Sequence, residues 1–168
     1  KLLLDAGMKP KRTIRVVAFG AEEIGLLGGY AYVEANRDEL PKHVLASQSD
    51  FGADLVSEVR SGVKGKAGNA VLQEIASTLG LPMSDAPTNG GPDIGPMFNE
   101  GVPAMRLQQD GTDYFDYHHT PDDTFDKIDP IKLFTLSTGR NQVYPKPLVK
   151  STVILLGRRG VSFRHIDE

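Results

Sequence analysis

Residues 13–19, TIRVVAF, place Val16, Val17, Ala18 and Phe19 in an unbroken apolar run. A run of this length, rich in β-branched side chains, is what a strand buried on both faces requires, and such strands belong to parallel sheets covered by helices. The run stops at Gly20. From Glu22 to about Arg37, Ile24, Leu27 and Ala31 recur at helical spacing, although Gly28 and Gly29 lower the local propensity. The opening unit is therefore strand, tight turn, helix. A second strand is expected over residues 43–49, running into Asp50, Phe51 and Gly52, and a second helix over about 66–79, ended by Gly80, Leu81 and Pro82. Residues 92–100 read as a short helix closed by Gly101, and residues 102–108 as another apolar strand. Alternating strands and helices predict an α/β domain with a mostly parallel sheet.

At 168 residues, with 39% hydrophobic and 24% charged residues, the chain can bury one core, which excludes the disordered and fibrous classes. A net charge of −3 leaves no basic face for phosphate contacts, so nucleic acid is not expected as a partner. No stretch approaches the roughly 20 apolar residues of a membrane-spanning helix. Cysteine is absent, and any metal is left to His, Asp and Glu. The chain starts without Met, inside what reads as the end of an amphipathic helix (Leu2, Leu3, Leu4, Ala6), as a fragment boundary would.

In an open α/β sheet the ligand site lies beyond the carboxyl ends of the strands. The polar residues just past the predicted strands are Glu22 and Glu23, then Asp50, then His118 and His119 in the polar loop 110–129. Carboxylates and imidazole on one edge are the ligand set of a hard or borderline metal such as zinc. Adjacent glutamates at a helix start point about 100° apart, so one can hold a metal while its neighbour faces the water on that metal. Glu23 would then be the ligand and Glu22 the base that takes the proton as the water attacks a carbonyl. An isolated Glu-Glu pair merely complements a helix dipole; the strand-end Asp and His favour the metal reading.

Four blocks, RTIRVVAFGAEEIGLLGGYAY, SDFGAD, GGPDIGPMFNEGVPAMRL and YFDYHHTPDDTFDKIDP, occur in the order seen in the co-catalytic zinc exopeptidases, the family of aminopeptidases and carboxypeptidases, which this chain resembles from about Lys11 to Leu136. The resemblance implies a three-layer α/β fold with a mixed, mostly parallel central sheet, and hydrolysis of terminal peptide bonds in peptides or dipeptides. It implies Glu22 as general base, Glu23 as ligand of one zinc and Asp50 as ligand of the other. His119, directly before Thr120, is the implied histidine ligand, with His118 its neighbour. Asp93, in a Gly-rich turn, would line the pocket or orient a ligand; Tyr117, with Tyr114 and Phe115, would shape a side-chain pocket. Ile94 stands where many relatives carry His or Tyr. Arg106 and Arg60 are open to two readings, surface residues or anchors for a substrate carboxylate.

The family site holds two zinc ions bridged by an Asp, with a further His, both from a segment upstream of the first strand seen here. The expectation is a partial catalytic domain over residues 1–138, truncated at its N-terminus and weak in metal binding as it stands. Residues 139–168, broken by Pro145 and Pro147 before the apolar run 153–156, form a divergent tail expected to be loosely held, with an added strand as the alternative. Exported relatives imply a secreted or periplasmic protein, and a homodimer is left open. Two other readings stand beside the peptidase: a glutaminyl-cyclase-like enzyme with one zinc, and an inactive interaction domain.

Overall fold

The computed structural model describes residues 9–52, 54–130 and 152–156, together with Asp5 and Gly7. The helix end read over Leu2, Leu3, Leu4 and Ala6, and all of the tail except residues 152–156, lie outside the described residues. Six strands form one sheet: β1 (Thr13–Val17), β2 (His43–Ser47), β3 (Val56–Ser61), β4 (Met83–Ser84), β5 (Ala104–Gln109) and β6 (Thr152–Leu156), in the order β1-β6-β2-β5-β3-β4. The helices are α1 (Leu27–Ala35), α2 (Lys66–Thr78), α3 (Gly95–Asn99) and α4 (Tyr114–Tyr117). The sheet is mixed and flanked by helices. β2 runs parallel to β5 with Ala46 opposite Ala104, and β3 runs parallel to β4, whereas β3 is antiparallel to β5 and β6 is antiparallel to both β1 and β2.

β6 comes from the segment read as a loose tail. Its sequence, TVILL, has the β-branched content of a strand, and it pairs on both sides, Ile154 standing opposite Arg15 and Ala46. β1 lies at the sheet edge among the described residues. Val16 is accordingly half exposed, which corrects the reading of β1 as buried on both faces.

The acidic pair does not start a helix. Ala21, Gly25 and Leu26 all adopt positive φ, and the amides of Gly25 and Leu26 both donate to the Glu22 carbonyl, at 3.1 and 2.9 Å. Glu22 and Glu23 therefore sit in a tight turn, and α1 begins only at Leu27. The 100° argument from helix geometry thus does not apply to them. Gly28, weak by propensity, is required by packing: a Cβ there would meet the Gly20 carbonyl oxygen at 2.6 Å, so the bare Cα lets α1 seat on the turn that carries the acids.

α1 and α3 cover the sheet, with Tyr32, Ile94 and Met97 fully buried among Val17, Val33, Leu40, Ala46, Val102 and Ala104. Leu72 and Ala76 are the buried face of α2. Beneath α1 a polar chain is fully satisfied. The Tyr32 hydroxyl accepts from Arg15 Nη1 at 2.7 Å and meets His43 Nε2 at 2.8 Å, while His43 Nδ1 lies 2.9 Å from the Glu39 carbonyl oxygen. A carbonyl can only accept, so Nδ1 carries the proton and neutral Nε2 accepts from Tyr32. Burial holds the His43 pKa below its ordinary value, with the Glu39 hydrogen bond opposing it. The folded state thus prefers neutral His43, and stability present above the unfolded pKa of about 6.5 falls as the unfolded chain takes up a proton on acidification. The urea midpoint should drop between pH 7.5 and 5.5, and His43→Gln should flatten that drop; an unchanged slope in the variant would remove His43 from the account.

Candidate functional site

The chain crosses the carboxyl ends of β1, β2 and β5 in three segments: the turn at Glu22 and Glu23, the exit at Asp50 and Phe51, and the loop after Gln109. All three line one cavity of about 660 Å³, within the range of small-molecule sites. Glu22, Glu23, Asp50, Tyr117, His118 and His119 all lie on its wall. Glu23 Oε2 and His119 Nε2 meet at 2.9 Å, across 96 residues of sequence. Both side chains are 62% exposed, so the pair faces the cavity rather than the core.

Side chains behind the wall fix this arrangement. Buried Gln109, at the end of β5, donates through Nε2 to the Gly52 carbonyl at 2.6 Å, and the Asp110 amide donates to the Leu55 carbonyl at 2.8 Å. These bonds tie the histidine loop to the Asp50 segment. Within the loop, the His118 amide donates to the Tyr114 carbonyl and the Thr120 amide to the Tyr117 carbonyl, both at 2.9 Å. The turn leaves His119 at φ 60°, an uncommon conformation for a residue with a side chain. Rings complete the support: Phe51 stacks on Tyr114 at 4.3 Å between centroids, Tyr114 on His118 at 4.7 Å, and His118 on His119 at 3.7 Å. His118 is therefore held between two rings rather than merely solvated.

Asp93 is placed differently from Glu22, Glu23, Asp50 and His119. It is buried, accepts from Gln48 Nε2 at 2.9 Å through Oδ2 and donates its amide to Gln48 Oε1 at 2.8 Å; Pro92, beside it, reaches the cavity wall. The Gln48–Asp93 pair anchors the Gly90-Gly91 turn, both glycines at positive φ, to the strand end that carries Asp50. Ile94 is wholly buried in the core, a physical reason for an apolar side chain there. Sequence reading missed Gln48 and Gln109, since a glutamine carries no signal until its partners are known.

The cavity is strongly acidic: eight Asp and Glu residues line it against Arg106 and Lys127. The Tyr114 phenol registers this field, its pKa raised first by burial and then by the negative charges of Asp50 and Glu23. Imidazole nitrogen and carboxylate oxygen suit zinc chemically. Among the described residues, however, no three His, Asp or Glu side chains gather around one point, whereas zinc takes three or four protein ligands. The donors on the wall are a contacting Glu23–His119 pair and Asp50.

A family model described as peptidase family M28 matches residues 1–138. Carboxypeptidase Q from mouse is 34% identical over 134 residues, as is carboxypeptidase Q from human; each alignment covers 79% of this chain and 28% of the relative. The crystal structure of a peptidase M28 precursor from Shewanella amazonensis SB2B superposes with a TM-score of 0.61 at 39% identity, over 78% of this chain and 32% of that one. The chain spans less than a third of the length of these relatives. The identity, the family match and the shared mixed sheet agree: this chain belongs to peptidase family M28.

Proposed function

We propose that the protein is a zinc-dependent exopeptidase that releases terminal residues from peptides or dipeptides, with Glu22 as general base. The observation that carries this reading is the convergence of Glu22, Glu23, Asp50 and His119 on one cavity, with Glu23 and His119 in contact at 2.9 Å. Glu23 and His119 would hold one ion and Asp50 the other, with more ligands needed than the described residues bring together. Bound zinc supplies a polarised carbonyl and a water of lowered pKa. Glu22 accepts the proton of the attacking water at its carboxylate and returns it to the departing amine. The cavity walls, carried in part by Phe51, Tyr114 and Tyr117, orient the peptide for that transfer.

Chelated protein should release no free amino acids from a dipeptide, and added zinc should restore the release. Zinc-dependent loss of ammonia from an N-terminal glutamine, without peptide cleavage, would replace the peptidase reading with a cyclase. No metal-dependent turnover, even in a protein extended to the relatives' length, would support an interaction domain.

A further inference from the structure

Arg106 lies on β5, half buried, and its guanidinium faces the same cavity as the acids. Its carbon Cζ stands 5.4 Å from the centre of the Phe51 ring. Phe51 is itself fixed: it stacks on Tyr114, and Gly111 leaves the room its ring needs, since a Cβ there would run into it. The other cation of the wall, Lys127, is engaged by Asp126 at 3.1 Å. Arg60, opposite Arg106 in the β3–β5 register, donates to Glu58 at 2.6 Å. Among the described residues, no carboxylate forms an ion pair with Arg106. A guanidinium in a wall of eight carboxylates, held by an aromatic face instead of by one of them, keeps its in-plane N–H donors for an incoming group.

We propose that Arg106 is a specificity residue that binds a carboxylate of the peptide substrate, a role that rests on the peptidase reading above. The planar fork of Arg matches a carboxylate in bidentate geometry, and Phe51 holds the fork in place without consuming its donors. The shared chemistry is a carboxylate, whose source is either the peptide C-terminus or an acidic side chain.

Three probes separate the sources: Ala-Leu, its C-terminal amide, and Ala-Glu amide, each assayed with the zinc-loaded protein. Arg106→Met keeps the length of the side chain and its contact with Phe51 but removes the fork. The expected result is a KM for Ala-Leu raised about 10- to 100-fold, with kcat changed less than about threefold. Arg106→Lys, which keeps the charge alone, should fall between the two. A rise confined to Ala-Glu amide would assign the side-chain carboxylate and still support the proposal. Arg60→Met, outside the cavity, should leave all three substrates unaffected. Constants unchanged in Arg106→Met for every substrate would overturn the role of Arg106 while leaving the peptidase intact. If the wild type cleaves nothing, calorimetry of Ala-Leu binding decides separately. Arg106-dependent binding would retain the anchor whatever becomes of the peptidase reading, which the extended protein tests, and absent or Arg106-independent binding would overturn the anchor.

Discussion

Glu22→Gln should lower kcat on a dipeptide about 10²- to 10⁴-fold, the range that removal of a positioned general base costs. Glutamine has the shape of glutamate but cannot accept the water's proton. Zinc binding should survive, because Glu23 rather than Glu22 meets His119. Glu22→Asp should fall between, since the carboxylate is kept but withdrawn by one methylene. The test is a steady-state assay beside a zinc titration. A kcat within about threefold of wild type would remove Glu22 from the base role, a loss of that size being too small for one. If Glu23→Gln instead abolished turnover with zinc still bound, the two glutamates would exchange roles. Their placement in a turn makes this a genuine test, because no helical angle fixes which of them faces the water.

Glu23→Ala and His119→Ala should each weaken zinc binding by more than the about 10- to 100-fold that loss of an outer-shell partner costs. Both side chains serve one ion in this reading, so the double variant should bind little worse than either single one. Asp50→Ala should instead remove a different equivalent, and its effect should add to theirs. Competition with a chromophoric chelator reads all four proteins. The metal-free variants should melt close to the wild type, because an exposed pair such as Glu23–His119 contributes less than about 1 kcal/mol. Independent, additive losses from Glu23→Ala and His119→Ala would show that they serve different ions. Unchanged affinity in either variant would remove that side chain from the metal site.

The strands and helices with a strong apolar pattern were legible from residues alone. α2 was read over about 66–79 and spans Lys66–Thr78, and β2 was read over 43–49 and spans His43–Ser47. β3 was not anticipated. Its sequence, VSEVRS, alternates apolar and polar residues too weakly to declare a strand, and pairing with β5 and β4 holds it. The start of α1 was misread because apolar spacing says nothing of Ala21 and Leu26 adopting positive φ. Glu22, Glu23, Asp50 and the pair His118 and His119 were placed on one edge by their positions after strands, while the choice of His119 over His118 came from the resemblance. Asp93, read as lining the pocket or orienting a ligand, is buried against Gln48, 45 residues away, a partner that no local pattern announces.

The ring column from Phe51 through Tyr114 and His118 to His119 has a metric consequence. Phe51 directly follows Asp50, so the column joins the segments that carry two of the proposed zinc ligands. Rings resist compression, so the Phe51–Tyr114 stack adds a fixed spacing to the hydrogen bonds that already tie those segments together. Thinning a spacer, as in Tyr114→Leu, would let the segments drift together. The spacing of Asp50 and His119 would then depend on a residue that carries neither of their side chains.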